Sequence, residues 1–175
     1  MRLIGLAGWS GSGKTTLLTA LIPALIRRGR TVSTVKHAHH AFDVDKPGKD
    51  SYLHREAGAH EVLISSQNRW ALMHEHRGAP EPNLQELVTH LAPVDLVLVE
   101  GFKREGHPKI EIHRAELGKP VLYPDDPQMV AIASDPVLAD APIPHVSLND
   151  IDAIADLVER HAVEADQIEW EPLRS

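Results

Sequence analysis

The chain contains no cysteine in its 175 residues. That excludes disulfides, thiolate metal sites and thiol redox chemistry, and it is compatible with a reducing compartment. Positive charge is also in deficit, with 18 basic against 25 acidic residues and a net charge of −7. A general affinity for nucleic acid backbones is therefore not expected, and any phosphate ligand must be held locally. No stretch approaches the roughly 18 uninterrupted apolar residues of a membrane helix. The opening MRLIGLAG is too short for a secretory core and is needed as a strand. Repeats, low-complexity tracts and interdomain linkers are absent as well. The chain reads as a soluble cytoplasmic protein with neither a nucleic acid nor a membrane partner. One domain is expected over 1–162, followed by an acidic extension over 163–175.

What the sequence does have is GWSGSGKTT at 8–16, directly behind the apolar run Leu3 to Ala7. Gly8, Gly13, Lys14 and Thr15 complete the pattern G-x-x-x-x-G-K-[ST]. A backbone that wraps phosphate must turn several successive N–H groups inward, which Gly8, Gly11 and Gly13 permit. Lys14 then meets the terminal phosphates, Thr15 offers a hydroxyl to Mg²⁺, and the following helix adds its positive N-terminal end. That helix is marked by Leu17, Leu18, Leu21, Ile22, Leu25 and Ile26, with Arg27 and Arg28 in the last turn and Gly29 behind them. Pro23 should bend it or loosen its middle.

Residues 31–38 predict a second strand, and thus a βαβ opening. A turn at Pro47-Gly48 precedes a short helix over 51–57, with Asp50 or Ser51 as its cap. Segments 61–66 and 69–75 predict a hairpin, and 84–91 a helix. The run 94–99 predicts a buried strand beside the first. KIEIHR at 109–114 alternates as a half-exposed strand does, whereas 129–135 reads as buried. Asn149 or Asp150 can cap a closing helix to about residue 161. The fold class is α/β, P-loop NTPase-type, with a mostly parallel central sheet, helices on both faces and ligands at the carboxyl ends of the strands.

A triphosphate cradle needs a carboxylate at the end of a neighbouring buried strand, and Glu100 supplies it; the alternative is an acidic residue facing solvent. Lys36, His37, Asp45, Lys49 and Asp50 emerge at the same edge, where switch-like elements meet the terminal phosphate. Of these, Lys36 and Asp50 are the preferred candidates, although Asp50 also suits a helix cap. The histidines of KHAHH, His37 to His40, raise a metal reading, but an extended segment puts only His37 and His39 on one face.

GWSGSGKTT, TVKHAHH, DKPGKDSYLHREAGA, DLVLVEGFK and KIEIHR together resemble the molybdopterin-guanine dinucleotide biosynthesis adapter family, MobB, over about residues 2–135. The resemblance implies a GTP-binding, Mg²⁺-binding homodimer that assists the guanylyltransferase-type enzyme attaching GMP to molybdopterin, with molybdopterin or its guanine dinucleotide as cargo. Carried onto matching positions, Gly11, Ser12, Gly13, Lys14, Thr15 and Thr16 contact phosphate. Asp50 and Glu100 join Thr15 in serving the metal and terminal phosphate.

Two departures qualify that picture. No N-K-x-D guanine signature occurs, so guanine preference rests on the resemblance, with Asp135 at a strand end as the nearest substitute; a cap is its other reading. Trp9 stands where some dimeric relatives carry a lysine toward the partner's phosphates, so hydrolysis is expected to be slow. Lys103, with Arg104, is the candidate for supplying that missing charge; the other reading is a solvated basic pair beside Glu105. The competing functions are a P-loop small-molecule kinase, which needs an acceptor pocket and an arginine-bearing lid, and a GTP-dependent metal-delivery protein.

Overall fold

The structure, a computed structural model, describes residues 1–38 and 42–170. Among the described residues nine strands and four α-helices follow in chain order: β1 (Arg2–Ala7), α1 (Lys14–Arg27), β2 (Val32–Lys36), α2 (Asp50–Glu56), β3 (Glu61–Ser65), β4 (Trp70–His74), α3 (Leu84–Val88), β5 (Leu96–Glu100), β6 (Lys109–Arg114), β7 (Met129–Asp135), β8 (His145–Ser147), α4 (Ile151–His161) and β9 (Val163–Glu164). Contacts divide the chain into two compact units, 1–37 with 84–175, and 38–83.

The larger unit is built on a seven-stranded sheet in the order β2-β5-β1-β6-β7-β8. All pairings along that path are parallel, and β9 adds to β1 antiparallel. This is the α/β, P-loop NTPase-type architecture, and the topology sets β1 centrally with β5 directly beside it. Alternation along β1 sends Ile4 and Leu6 to a face covered by Leu17, Leu21 and Leu25 of α1 and by Ile154, Leu157 and Val158 of α4. Leu3 points the other way, with Val97 and Val99, against Leu84 and Val88. Burying each such aliphatic side chain contributes about 1.5–3 kcal/mol. The central strand is thereby fixed from both sides, and the loop at its carboxyl end inherits that rigidity.

α1 runs unbroken through Pro23, which lies exposed within it. One expectation about exposure is corrected. β6 is buried along nearly its whole length instead of half exposed. On its polar face, which carries Lys109, Glu111 and His113, the first two are satisfied by protein groups: Lys109 Nζ donates to the Glu105 carbonyl at 2.7 Å and to Asp126 at 3.2 Å. Glu111 accepts the backbone N–H groups of Leu122 and Tyr123 at 2.8 and 2.9 Å. The described residues after α4 pack back on the larger unit. Met1 and Arg2 are tied to them, the N-terminal ammonium pairing with Glu164 at 2.7 Å, and Ile168 is buried with Trp170 against the Leu3 face.

In the smaller unit β3 and β4 form the expected antiparallel hairpin, with Leu63 opposite Leu72 and Ser65 opposite Trp70. Val62 and Met73 are buried on one side, whereas Leu63, Leu72 and Trp70 stand exposed. Asp50 is the first residue of α2 and Lys49 its N-cap, one position earlier than the sequence expectation. Arg55 gathers Asp43, Asp45 and Glu75 around its guanidinium.

Candidate nucleotide site

The loop between β1 and α1 holds Gly11 and Gly13 at φ 83° and 90°, conformations an L side chain rarely adopts. At Gly8 a Cβ would run into the Ile112 carbonyl oxygen, so the loop's entry is pressed against β6. Gly13 is the N-cap of α1 and brings no side-chain hydrogen bond, and the first turn contains no acidic residue. The contrast with α4 is direct, since there Asp150 caps the helix by accepting from Ala153 N–H at 2.9 Å. The first N–H groups of α1 therefore lack a side-chain acceptor at a positive helix end, the standard arrangement for an anion.

Lys14 Nζ donates to the carbonyls of Gly8 and Trp9, both at 3.0 Å. Burial holds its pKa below the usual lysine value; Glu100 opposes that shift, and the charges of Lys103 and Lys36 add to it. Lys103 thus lies within electrostatic reach of the loop lysine. Thr15 Oγ1 donates to Glu100 Oε1 at 3.0 Å, and Lys36 Nζ lies 3.7 Å from Glu100 Oε2. The sequence places these residues on three elements, and the parallel register, Leu6 beside Glu100 and Lys36 beside Glu100, brings them to one edge. Gly101 completes the turn out of β5 at φ 99°, where a Cβ would approach His37 Cβ to 2.7 Å. A hydroxyl and a carboxylate side by side are oxygen donors of the kind Mg²⁺ takes, so Thr15 and Glu100 fit that ion.

Ser12 is buried, and among the described residues its hydroxyl has no hydrogen-bond partner. Arg114, at the end of β6, donates from Nε to the Ser12 carbonyl at 3.3 Å, and its NH1 lies 3.6 Å from Asp135. A cleft of about 180 Å³ opens between α1 and the start of α4, lined by Gly13, Thr16, Arg114, Leu148, Asn149 and Ile151. Asp135 reaches this neighbourhood through Arg114 and does not line the cleft. Asn149, read from the sequence as a candidate cap, lines the cleft while Asp150 caps α4; Arg114 was not singled out, although its place at a strand's carboxyl end is the same signal that marked Glu100.

Asp50 belongs to the smaller unit. His39 and His40 lie outside the described residues, and the His37 ring packs at 5.0 Å from that of Phe102. Among the described residues no group of three or more His, Asp or Glu side chains is arranged to hold a metal ion, and no helix is long and apolar enough to cross a membrane.

Comparison with known proteins gives a consistent result. Residues 3–135 match the family described as molybdopterin guanine dinucleotide synthesis protein B. The molybdopterin-guanine dinucleotide biosynthesis adapter protein of Escherichia coli K12 is 46% identical over 160 residues, covering 89% of this chain and 90% of that protein. The Haemophilus influenzae protein of the same name is 44% identical, covering 90% and 87%. Among solved structures, a MobB homolog from Bacillus stearothermophilus aligns with a TM-score of 0.63 at 26% identity over 90% of this chain and 95% of that one. Bacillus subtilis MobB, 22% identical, shares the fold with a TM-score of 0.73 over 93% and 99% of the two chains. With a family match over most of its length and two relatives 46% and 44% identical over nearly their whole length, the chain belongs to the MobB family of molybdopterin-guanine dinucleotide synthesis proteins.

Proposed function

We propose that this protein is a cytoplasmic GTP-binding adapter in molybdopterin-guanine dinucleotide synthesis, assisting the nucleotidyltransferase that joins GMP to molybdopterin. The observation that carries the reading is the N-terminus of α1, which has no side-chain cap, set behind the glycine loop with Lys14, Thr15 and Glu100 converging on it. The names of the E. coli and H. influenzae relatives supply the pathway.

In this reading Gly11, Ser12, Gly13 and Thr16 line the phosphates with backbone N–H groups, and Lys14 exchanges its two carbonyl partners for phosphate oxygens. Thr15 and Glu100 hold Mg²⁺, which neutralises charge on the terminal phosphates. Lys36 steadies Glu100. Lys103 adds positive charge facing the terminal phosphate. The cleft beside Thr16 takes the nucleoside, with Asn149 presenting an amide to the base and Arg114 holding Asp135 at its margin.

A homodimer is part of the same proposal. An isolated two-stranded hairpin is marginally stable in water. Here Leu63, Trp70 and Leu72 are 62%, 66% and 45% exposed on one face of the β3–β4 hairpin. A second copy covering that face would remove them from solvent.

The experiment has two parts. Calorimetric titration with GTP and Mg²⁺ should show binding, and Lys14→Ala should weaken it by about 1.5–3 kcal/mol, or roughly tenfold or more, without loss of fold. Affinity capture from extract, with and without GTP, should retain a molybdopterin-modifying nucleotidyltransferase. Equal GTP affinities of wild type and Lys14→Ala would remove the loop from the mechanism. A phosphorylated small acceptor formed from GTP by the chain alone would favour a kinase.

A further inference from the structure

Trp9, the second residue of the glycine loop, is fixed by its indole N–H, which donates to the Pro120 carbonyl at 2.8 Å. Two ammonium groups approach its ring, Lys103 Nζ at 5.3 Å and Lys119 Nζ at 5.7 Å from the centroid. They arrive from separate loops, one after β5 and one after β6. Among the described residues neither lysine makes an ion pair. Each cation–π contact at an exposed site is worth only about 0.5–1 kcal/mol, so the ring alone is a weak reason to gather like charges.

Both loops are anchored from below by charge that is costly to bury. Lys109 and Glu111 are fully buried, and desolvation displaces both from their ordinary pKa values, Lys109 downward and Glu111 upward. Lys109 grips the Glu105 carbonyl, two residues beyond Lys103, while Glu111 grips the N–H groups of Leu122 and Tyr123, just beyond Lys119 and Pro120. Well-packed apolar residues often stabilise such positions equally well or better. What the ionic anchors deliver is a fixed placement of the two loops, the preorganisation a binding site needs. On a chain of net charge −7, the outcome is a local excess of cation beside the phosphate loop.

From this arrangement we propose that Trp9, Lys103 and Lys119 form a second anion subsite, which takes the phosphate monoester of a second ligand while nucleotide occupies the glycine loop. A phosphate monoester carries close to two negative charges at neutral pH, matching two ammoniums, and Trp9 offers an aromatic surface to a planar group attached to it. The inference rests on the proposed GTP site, and the family's product identifies the ligand class as a phosphorylated pterin. Lys103 is shared with the nucleotide's terminal phosphate; Lys119 serves the second ligand alone.

The test titrates 6-hydroxymethylpterin monophosphate, and separately unphosphorylated 6-hydroxymethylpterin, into full-length protein saturated with GTP and Mg²⁺. The phosphorylated probe should bind at least about tenfold more tightly than the alcohol. Lys119→Ala should lose roughly tenfold or more of that affinity, and Lys119→Arg should keep most of it, with GTP affinity unchanged in both. Three results would overturn the proposal: equal probe affinity in Lys119→Ala, displacement of the probe by GTP, or a fall in GTP affinity in Lys119→Ala that assigns the lysine to the nucleotide. Absence of GTP binding in the unmutated protein would instead overturn the reading on which the proposal rests.

Discussion

Thr15 and Glu100 are joined by a hydroxyl-to-carboxylate hydrogen bond of 3.0 Å, linking the first turn of α1 to the end of β5. The contact is possible because β1 and β5 are parallel neighbours, with Leu6 in register with Glu100, so that the loop after one strand overhangs the end of the other. In the proposed mechanism both oxygens turn to Mg²⁺. Glu100→Gln keeps the shape and removes the charge. It should lower affinity for GTP in the presence of Mg²⁺ by roughly 10- to 100-fold, and change metal-free GTP binding much less. Titrations with Mg²⁺ and with chelator decide it; an equal loss in both would make Glu100 a positioning residue for the loop.

Base recognition gives a second expectation. Asn149 lines the cleft beside Thr16, whereas Asp135 is turned to Arg114. An amide can donate to the guanine carbonyl or accept from its N–H groups, and removing it leaves those groups unpaired. Asn149→Ala should reduce the preference for GTP over ATP by about 1–3 kcal/mol. Asp135→Ala should act less directly, by releasing Arg114. Competition between GTP, ITP and ATP measures the preference in each protein, and an undiminished preference in Asn149→Ala would return the base to Asp135.

The division between what was legible and what was not follows from the range of each signal. The glycine loop, Lys14 and Thr15 form a local pattern whose chemistry is written in consecutive residues, and β5 announces itself as an apolar run ending in Glu100. Arg114 belongs to no such pattern. Its contact with the Ser12 carbonyl exists only because β6 packs beside β1 in one register. β6 misleads for a related reason: KIEIHR alternates like a solvent-facing strand, yet its polar side chains are covered by the segment carrying Leu122, Tyr123 and Asp126. Only two residues make up β9, too few to display a period, so its pairing with β1 left no mark.

His107 yields a stability expectation with a defined sign. It is fully buried, both ring nitrogens lack partners among the described residues, and its Nε2 occupies the space that a Cβ on Gly5 would need. Burial, reinforced by the Lys109 charge, lowers its pKa from 6.5 to about 3. Below pH 6.5 the unfolded chain therefore binds a proton that the native protein refuses until about pH 3. Stability from this group is complete above the upper value and declines as pH falls toward the lower one, by up to about 1.4 kcal/mol per pH unit. His107→Leu removes the titration. Glu105 and Glu111, whose burial raises their pKa values, remain in both proteins. Urea unfolding at pH 7 and pH 5 should thus show a smaller acid loss in His107→Leu than in wild type. Parallel losses would mean that the ring is already protonated in the native state.

The last expectation concerns turnover. Holding GTP is distinct from hydrolysing it, because phosphoryl transfer also needs an oriented water and positive charge on the developing transition state. Lys14 and a bound Mg²⁺ act on the ground state as well as the transition state. The second loop position is Trp9, whose side chain offers no positive charge, and the nearby ammonium of Lys103 lies over that ring instead of projecting from the loop itself. Arg114 is engaged with the Ser12 carbonyl and Asp135, so it is not poised as a finger. The isolated chain should therefore hydrolyse GTP far below the typical enzyme rate of about 10 per second. Lys103→Ala should lower the residual rate further, with a smaller effect on GTP affinity, since its charge faces the terminal phosphate in the proposed complex. Single-turnover phosphate release, with the partner nucleotidyltransferase absent and then present, separates the contributions. A rapid rate from the isolated chain, indifferent to both the partner and Lys103→Ala, would make the protein an autonomous GTPase and displace the adapter reading.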